Sequence, residues 1–193
     1  MDALNIVVLA GPNGAGKSTT AKKVVRDRLG IVHYVNADTL ARGLSEFASE
    51  TMAFKAARIM LEHLRDLARD KVDFALETTL SGKTYAPWIA ELKKQGYLFN
   101  LIYLWLPSAD MAVDRVKDRV RRGGHDIPED TIRRRYEGGL QNFFRLYSPM
   151  ADFFQFYNNS NPKRPRLIAE KNDIMLDVID RRLWESVQAR YDS

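Results

Sequence analysis

The chain of 193 residues contains no cysteine. That excludes disulfides and thiolate metal centres, and nothing in composition points to an oxidising compartment. Histidine is scarce, with three residues, and His33 and His125 read as structural. No apolar run is long enough to cross a bilayer, and Met1-Asp2-Ala3-Leu4-Asn5 is acidic where an export signal would be basic. A cytoplasmic protein without membrane association is expected. No interior stretch rich in Pro, Gly or Ser separates two cores, so residues 1–193 are expected to form one domain.

Charge is less decisive. The formal net charge is +5 and the sequence pI is about 9.4, but acidic residues accompany basic ones along most of the chain. The excess gathers between Arg115 and Arg135, where Arg119, Arg121, Arg122, Arg133, Arg134 and Arg135 flank the pair Gly123-Gly124. Such a group serves nucleic acid or the phosphates of a small molecule equally well, because guanidinium pairs with both in a bidentate manner.

What the chain does have is Gly11-Pro12-Asn13-Gly14-Ala15-Gly16-Lys17-Ser18, which satisfies G-x-x-x-x-G-K-[ST] at every fixed position. It follows Ile6-Val7-Val8-Leu9, a buried-strand pattern, and opens a helical stretch from Lys17 to about Leu29 with Val24, Val25 and Leu29 facing the core. Unpaired amides at the helix start, the positive end of its dipole and the Lys17 ammonium all favour a polyphosphate there. Residues Gly11 to Thr19 are therefore the expected ATP-binding loop, with the Ser18 hydroxyl on Mg2+.

Further strands are expected at Ile31–Val35, Val72–Leu76, Tyr97–Leu106 and Phe153–Tyr157, and Leu167–Ala169 has the pattern of a short extra strand. Helices are expected at Ser49–Arg69, Thr84–Gln95, from Ser108 to Gly123, from Pro128 onward and over Asp173–Arg190. This alternation implies an α/β, three-layer P-loop NTPase fold: a parallel sheet of five strands, in the order 2-3-1-4-5, between helices. Ligands in such sheets lie at the carboxyl ends of the strands.

Several polar residues fall at those ends. Asp38 follows the second strand, where a carboxylate can orient an acceptor hydroxyl or take its proton, and Arg42 lies one helical turn on. Glu77-Thr78-Thr79 ends the third strand and can meet a substrate hydroxyl or the metal. The arginine segment around Gly123-Gly124 reads as a mobile cover whose guanidinium groups stabilise the transferring phosphoryl group and exclude water.

Leu80-Ser81-Gly82 faintly matches an ABC-type ATPase signature, but the later strand ends in Leu-Pro where that class needs Asp-Glu. Asp27-Arg28-Leu29-Gly30 matches D-x-x-G of GTP-dependent switches, yet it lies at the end of the first helix and no Asn-Lys-x-Asp follows. A nucleic-acid-binding regulator remains as a rival, with binding that falls steeply with salt and survives loss of Lys17.

Taken together, the phosphate loop, Asn36-Ala37-Asp38 with Arg42, Glu77-Thr78-Thr79, the Gly-Gly-His-Asp-Ile-Pro turn and Arg133-Arg134-Arg135-Tyr136 resemble the zeta toxin family of P-loop kinases, above all its short bacterial members. The resemblance spans most of the chain. It implies ATP- and Mg2+-dependent phosphorylation of a small-molecule hydroxyl, in that family UDP-N-acetylglucosamine, and an antitoxin as protein partner. It also implies nucleotide and metal binding by Lys17 and Ser18, acceptor activation by Asp38, substrate contacts from Glu77 and Thr79, and phosphate clamping by arginines among Arg119, Arg122, Arg134 and Arg135. The extended sugar-nucleotide contacts of the larger toxins have no counterpart on this compact chain.

Overall fold

The apolar run after the N-terminus becomes strand β1 (Leu4–Ala10), whose last five residues are buried. A computed structural model describes residues 3–21, 24, 25, 27, 29–36, 50–172 and 174–191. β1 lies between two parallel neighbours, β3 (Phe74–Thr78) and β4 (Tyr97–Trp105). β2 (His33–Asn36) pairs with β3, and β5 (Phe153–Asn158) pairs with β4, both parallel. The order 2-3-1-4-5 expected for the parallel strands is thus present.

The sheet does not stop there. β6 (Arg166–Lys171) and β7 (Leu176–Val178) add to β5 in antiparallel fashion, giving seven strands in a mixed sheet rather than a five-stranded parallel one. The physical reason is loop length. Only seven residues separate β5 from β6, too few for a crossover helix, so the chain must reverse. The closing helix expected from Asp173 begins instead at Arg181, after β7. Asp180 caps it, its carboxylate accepting from Leu183 N at 3.2 Å and its carbonyl from Trp184 N at 2.9 Å.

The helices are α1 (Lys17–Ala21), α2 (Glu50–Arg69), α3 (Tyr85–Lys94), α4 (Ala109–Arg121), α5 (Glu129–Asn142) and α6 (Arg181–Tyr191). α5 continues through a π-helical turn, Phe143–Tyr147, into the short turn Ser148–Met150. Ser108 caps α4 through Met111 N at 3.1 Å, and Glu129 and Asp130 occupy the first turn of α5. Of the core-facing residues expected after α1, Val25 is buried and Val24 packs against the core, whereas Leu29 is 49% exposed. No helix among the described residues is long and apolar enough to cross a membrane.

Partners in parallel register share a face of the sheet. One face therefore carries Phe74, Phe99, Tyr103, Phe154 and Phe156. It is covered by Trp88 of α3, by Phe143 and Phe144 of the π-helical turn, and by Trp184 of α6, with Trp184 stacked 5.9 Å from Phe154 and Phe143 at 5.1 Å from Phe156. The opposite face carries Tyr34, Asn36, Ala75 and Glu77, since Tyr34 is in register with Ala75 and Asn36 with Glu77. Two polar strand ends are thereby brought side by side at the carboxyl edge.

Candidate active site

The loop after β1 turns because Gly11 adopts a φ of +137°, and a side chain there would collide with the Leu104 carbonyl on β4. Ala15 N closes the turn onto Pro12 O at 3.1 Å, and Thr20 N bonds Gly16 O at 3.0 Å as α1 begins. Lys17 is 7% exposed and folds back over the loop, its Nζ donating to Gly11 O at 2.9 Å and Pro12 O at 3.0 Å. Its ammonium stands 4.0 Å from Glu77 Oε1.

Glu77 is the hub. Its Oε2 accepts from Ser18 Oγ at 2.9 Å, from Asn36 Nδ2 at 2.8 Å and from the Tyr34 hydroxyl. Donors from β2 and α1 thus converge on one carboxylate at the end of β3. Such charge-assisted bonds fix its position before any ligand arrives. Beside it lies a cavity of about 130 Å3 lined by Asn13, Lys17, Asn36, Glu77, Thr78, Thr79, Tyr85 and Arg135. Burial pushes the Tyr85 hydroxyl pKa up, keeping that group a neutral donor.

The structure therefore gathers the expected Asn13, Lys17, Glu77, Thr78, Thr79 and Arg135 around one space, with Ser18 joined to it through Glu77. Thr78 Oγ1 accepts from Leu80 N at 3.1 Å, and Thr79 Oγ1 lies 2.9 Å from Ser81 Oγ. Thr19 is exposed on α1. The arginines divide. Arg135 reaches the cavity, whereas Arg119 donates to His125 O at 2.7 Å and holds the Gly123-Gly124 turn, and Arg122 and Arg134 are exposed. Arg133 is tied to Glu129 and Asp110, both at 2.7 Å, and Arg121 to Asp118. Asp38 and Arg42 lie outside the described residues.

Tyr34 and Tyr85 are site residues that the sequence does not single out, and Asn36 stands in a quoted motif without a role of its own. Strand alternation was the signal for Tyr34 and Asn36: they stand two apart on β2, facing the side where Glu77 emerges.

Gly139 explains why Arg135 points inward. A methyl group there would collide with Thr79 O and lie 3.3 Å from the Tyr103 hydroxyl, so α5 approaches the end of β3 only because that position is bare. Gly139→Ala is expected to force α5 outward, costing about 1–3 kcal/mol of stability and withdrawing Arg135. Thermal unfolding and single-turnover kinetics measure the two effects.

Chemically, the arrangement offers an anion cradle, a buried ammonium, a fixed carboxylate and a guanidinium around a space sized for a phosphoryl group and the atom it meets. Ser18 Oγ and Glu77 Oε2 are hard oxygen donors of the kind Mg2+ selects, and they are adjacent. Among the described residues no group of three His, Asp or Glu is placed to hold a metal ion.

A loop of this sequence between β1 and α1, in a sheet with parallel order 2-3-1-4-5, defines a P-loop NTPase fold of the kinase-like kind. The chain belongs to the AAA domain family AAA_33, which matches residues 6–144. It is 28% identical over 130 residues to an uncharacterized protein of Haemophilus influenzae, covering 67% of this chain and 91% of that one. Among solved structures it is similar to AvrRxo1-ORF1:-ORF2 with ATP, with a TM-score of 0.75, 14% identity and 96% of this chain covered. The chain spans 63% of the length of that structure's matched chain. It is also similar to the PezAT chromosomal toxin-antitoxin system of Streptococcus pneumoniae, with a TM-score of 0.64, 12% identity, and 99% and 87% of the two chains covered. At these identities the likeness to the solved structures is one of fold.

Proposed function

We propose that this protein is a zeta-toxin-like phosphotransferase that moves the terminal phosphoryl group of ATP to a hydroxyl of a small molecule. The observation that carries the reading is the convergence of Lys17 and Arg135 on the space beside the Glu77 carboxylate, which Ser18 also bonds.

In this reading the amides of Gly14 and of Gly16 to Thr19, with the Lys17 ammonium, hold the triphosphate. Ser18, with Glu77 beside it, would hold Mg2+, which would neutralise phosphate charge. The acceptor oxygen attacks the terminal phosphorus as the bond to the ADP oxygen breaks, and the acceptor's proton passes to Asp38. Glu77, Thr78, Thr79 and Arg42 orient the acceptor. Arg135 stabilises the transferring group, joined by Arg119, Arg122 and Arg134 when the Gly123-Gly124 segment closes. A cavity of about 130 Å3 accommodates the reacting groups and leaves the body of each substrate outside, which is compatible with a sugar nucleotide such as UDP-N-acetylglucosamine. A need for ATP agrees with action in the cytoplasm. An antitoxin-like protein partner belongs to the same reading, supported by the two-component make-up of PezAT and AvrRxo1-ORF1:-ORF2.

The test is incubation with labelled ATP, Mg2+ and a panel of sugar nucleotides and polyols. A labelled phosphate ester is expected, and Asp38→Asn should abolish it while leaving nucleotide affinity intact. Release of free phosphate alone would make the protein an ATPase.

A further inference from the structure

The phosphate loop is held from behind as well as from within. Asn159, in the loop between β5 and β6, is 2% exposed and donates through Nδ2 to Ala15 O at 2.6 Å. Its own backbone N bonds Trp105 O at 2.9 Å. Arg115 of α4 reaches the same junction: its Nη2 donates to Asn159 O at 3.0 Å and Ser160 O at 2.7 Å, and its Nη1 to Gly14 O at 3.4 Å. Two carbonyls of the phosphate loop are therefore gripped by side chains from elements far along the chain.

A trans peptide is planar, so its C=O and N–H point in opposite directions. Holding Ala15 O against Asn159 turns the Gly16 N–H the other way. Ala15 N is already spent on Pro12 O, which leaves Gly16 N–H as the amide that this latch directs. Asn159 Oδ1 is buried with no partner among the described residues. Rotating the carboxamide by half a turn would set that acceptor against the Ala15 carbonyl, so only the donor orientation is compatible with the site. Burial draws the Arg115 pKa down from its ordinary value, against its hydrogen bonds to three carbonyls, which favour the charged guanidinium.

We propose that Asn159, seated by Arg115, is a positioning residue that fixes the Ala15–Gly16 peptide so that the Gly16 N–H is presented to the phosphates of a bound nucleotide. This rests on the nucleotide-binding part of the function proposed above. It also gives the antiparallel extension a role, because β6 anchors the far end of the loop that carries the latch.

The experiment is calorimetric titration of the full chain and its variants with ADP and with inorganic pyrophosphate, alongside thermal unfolding. Asn159→Asp keeps the shape but replaces the donor by an acceptor. It is expected to weaken both ligands by about 10- to 100-fold at neutral pH and to regain affinity relative to the unaltered protein on acidification, when the protonated carboxyl again donates to Ala15 O. Asn159→Ala should weaken both ligands by about 10-fold with no such recovery. A purely structural role predicts no pH-dependent rescue. Unchanged affinity in a folded Asn159→Ala, or a folded Asn159→Asp whose loss ignores pH, overturns the inference while the nucleotide reading stands. Failure of the unaltered protein to bind either ligand ends both.

Discussion

Replacing Lys17 with alanine is expected to lower kcat/KM for phosphoryl transfer by about 10²- to 10³-fold, the loss that follows removal of one preorganised donor from a charged transition state. The ammonium sits 7% exposed between the carbonyls of its own loop and the Glu77 carboxylate. It is therefore already desolvated and aimed at the phosphate cradle, and moving it onto a phosphate exchanges two carbonyl contacts for a charged one. Most of the loss should fall in kcat, because charge builds on the transferring group and the leaving oxygen as the reaction proceeds. Circular dichroism should be unchanged, since alanine is a good helix former at the start of α1. Transfer at the unaltered rate by a folded Lys17→Ala protein would refute the phosphate-loop assignment.

Glu77→Gln is the second large effect. The glutamine has the same size but one fewer acceptor, and it faces donors from Ser18, Asn36 and Tyr34. The two hydroxyls can turn, but the Asn36 Nδ2 cannot become an acceptor, so the cluster must rearrange. Lys17 also loses its buried counter-charge, and breaking a buried pair in this way should cost about 3 kcal/mol of stability. Transfer should fall by about 10²-fold or more, with ADP affinity far less affected. Tyr34→Phe removes one donor and leaves the charge, so its effect should be distinctly smaller. An equal loss in both variants would assign the role to the hydrogen-bond cluster and not to the carboxylate.

The contrast between Lys17 and Arg135 shows what a linear reading reaches. The shape of the loop after β1 was legible because it depends on contiguous residues: a turn, a helix start and a lysine one step inside it. Glu77 was legible because a strand end is a local feature and the parallel order places it beside β1. The arginines were not separable in this way. Six of them fall within one stretch with similar local patterns, and it is the seating of α5, with Ile132, Tyr136 and Leu140 buried and Gly139 close against Thr79, that brings Arg135 to the cavity.

Residues 174–180 depart from their sequence pattern for a related reason. Ile174, Met175, Val178 and Ile179 fit an apolar helical stripe, yet Leu176–Val178 pair with β6 and Asp180 caps a later helix. Ile174 is 86% and Met175 60% exposed, so the pattern did not report burial. A segment of three paired residues has too little periodicity of its own, and its state is set by the strand it meets.

The sequence by itself determined the phosphate-binding loop, the alternation of strands and helices, and the presence of a carboxylate at the end of the third strand, because each arises from neighbours along the backbone. The tertiary structure alone decided that Tyr34 and Asn36 brace Glu77, that Arg135 faces the site, and that Asn159 and Arg115 grip the loop from outside. Those contacts join residues up to 144 positions apart, and no local preference specifies a hydrogen bond whose two ends are brought together only when the sheet is complete.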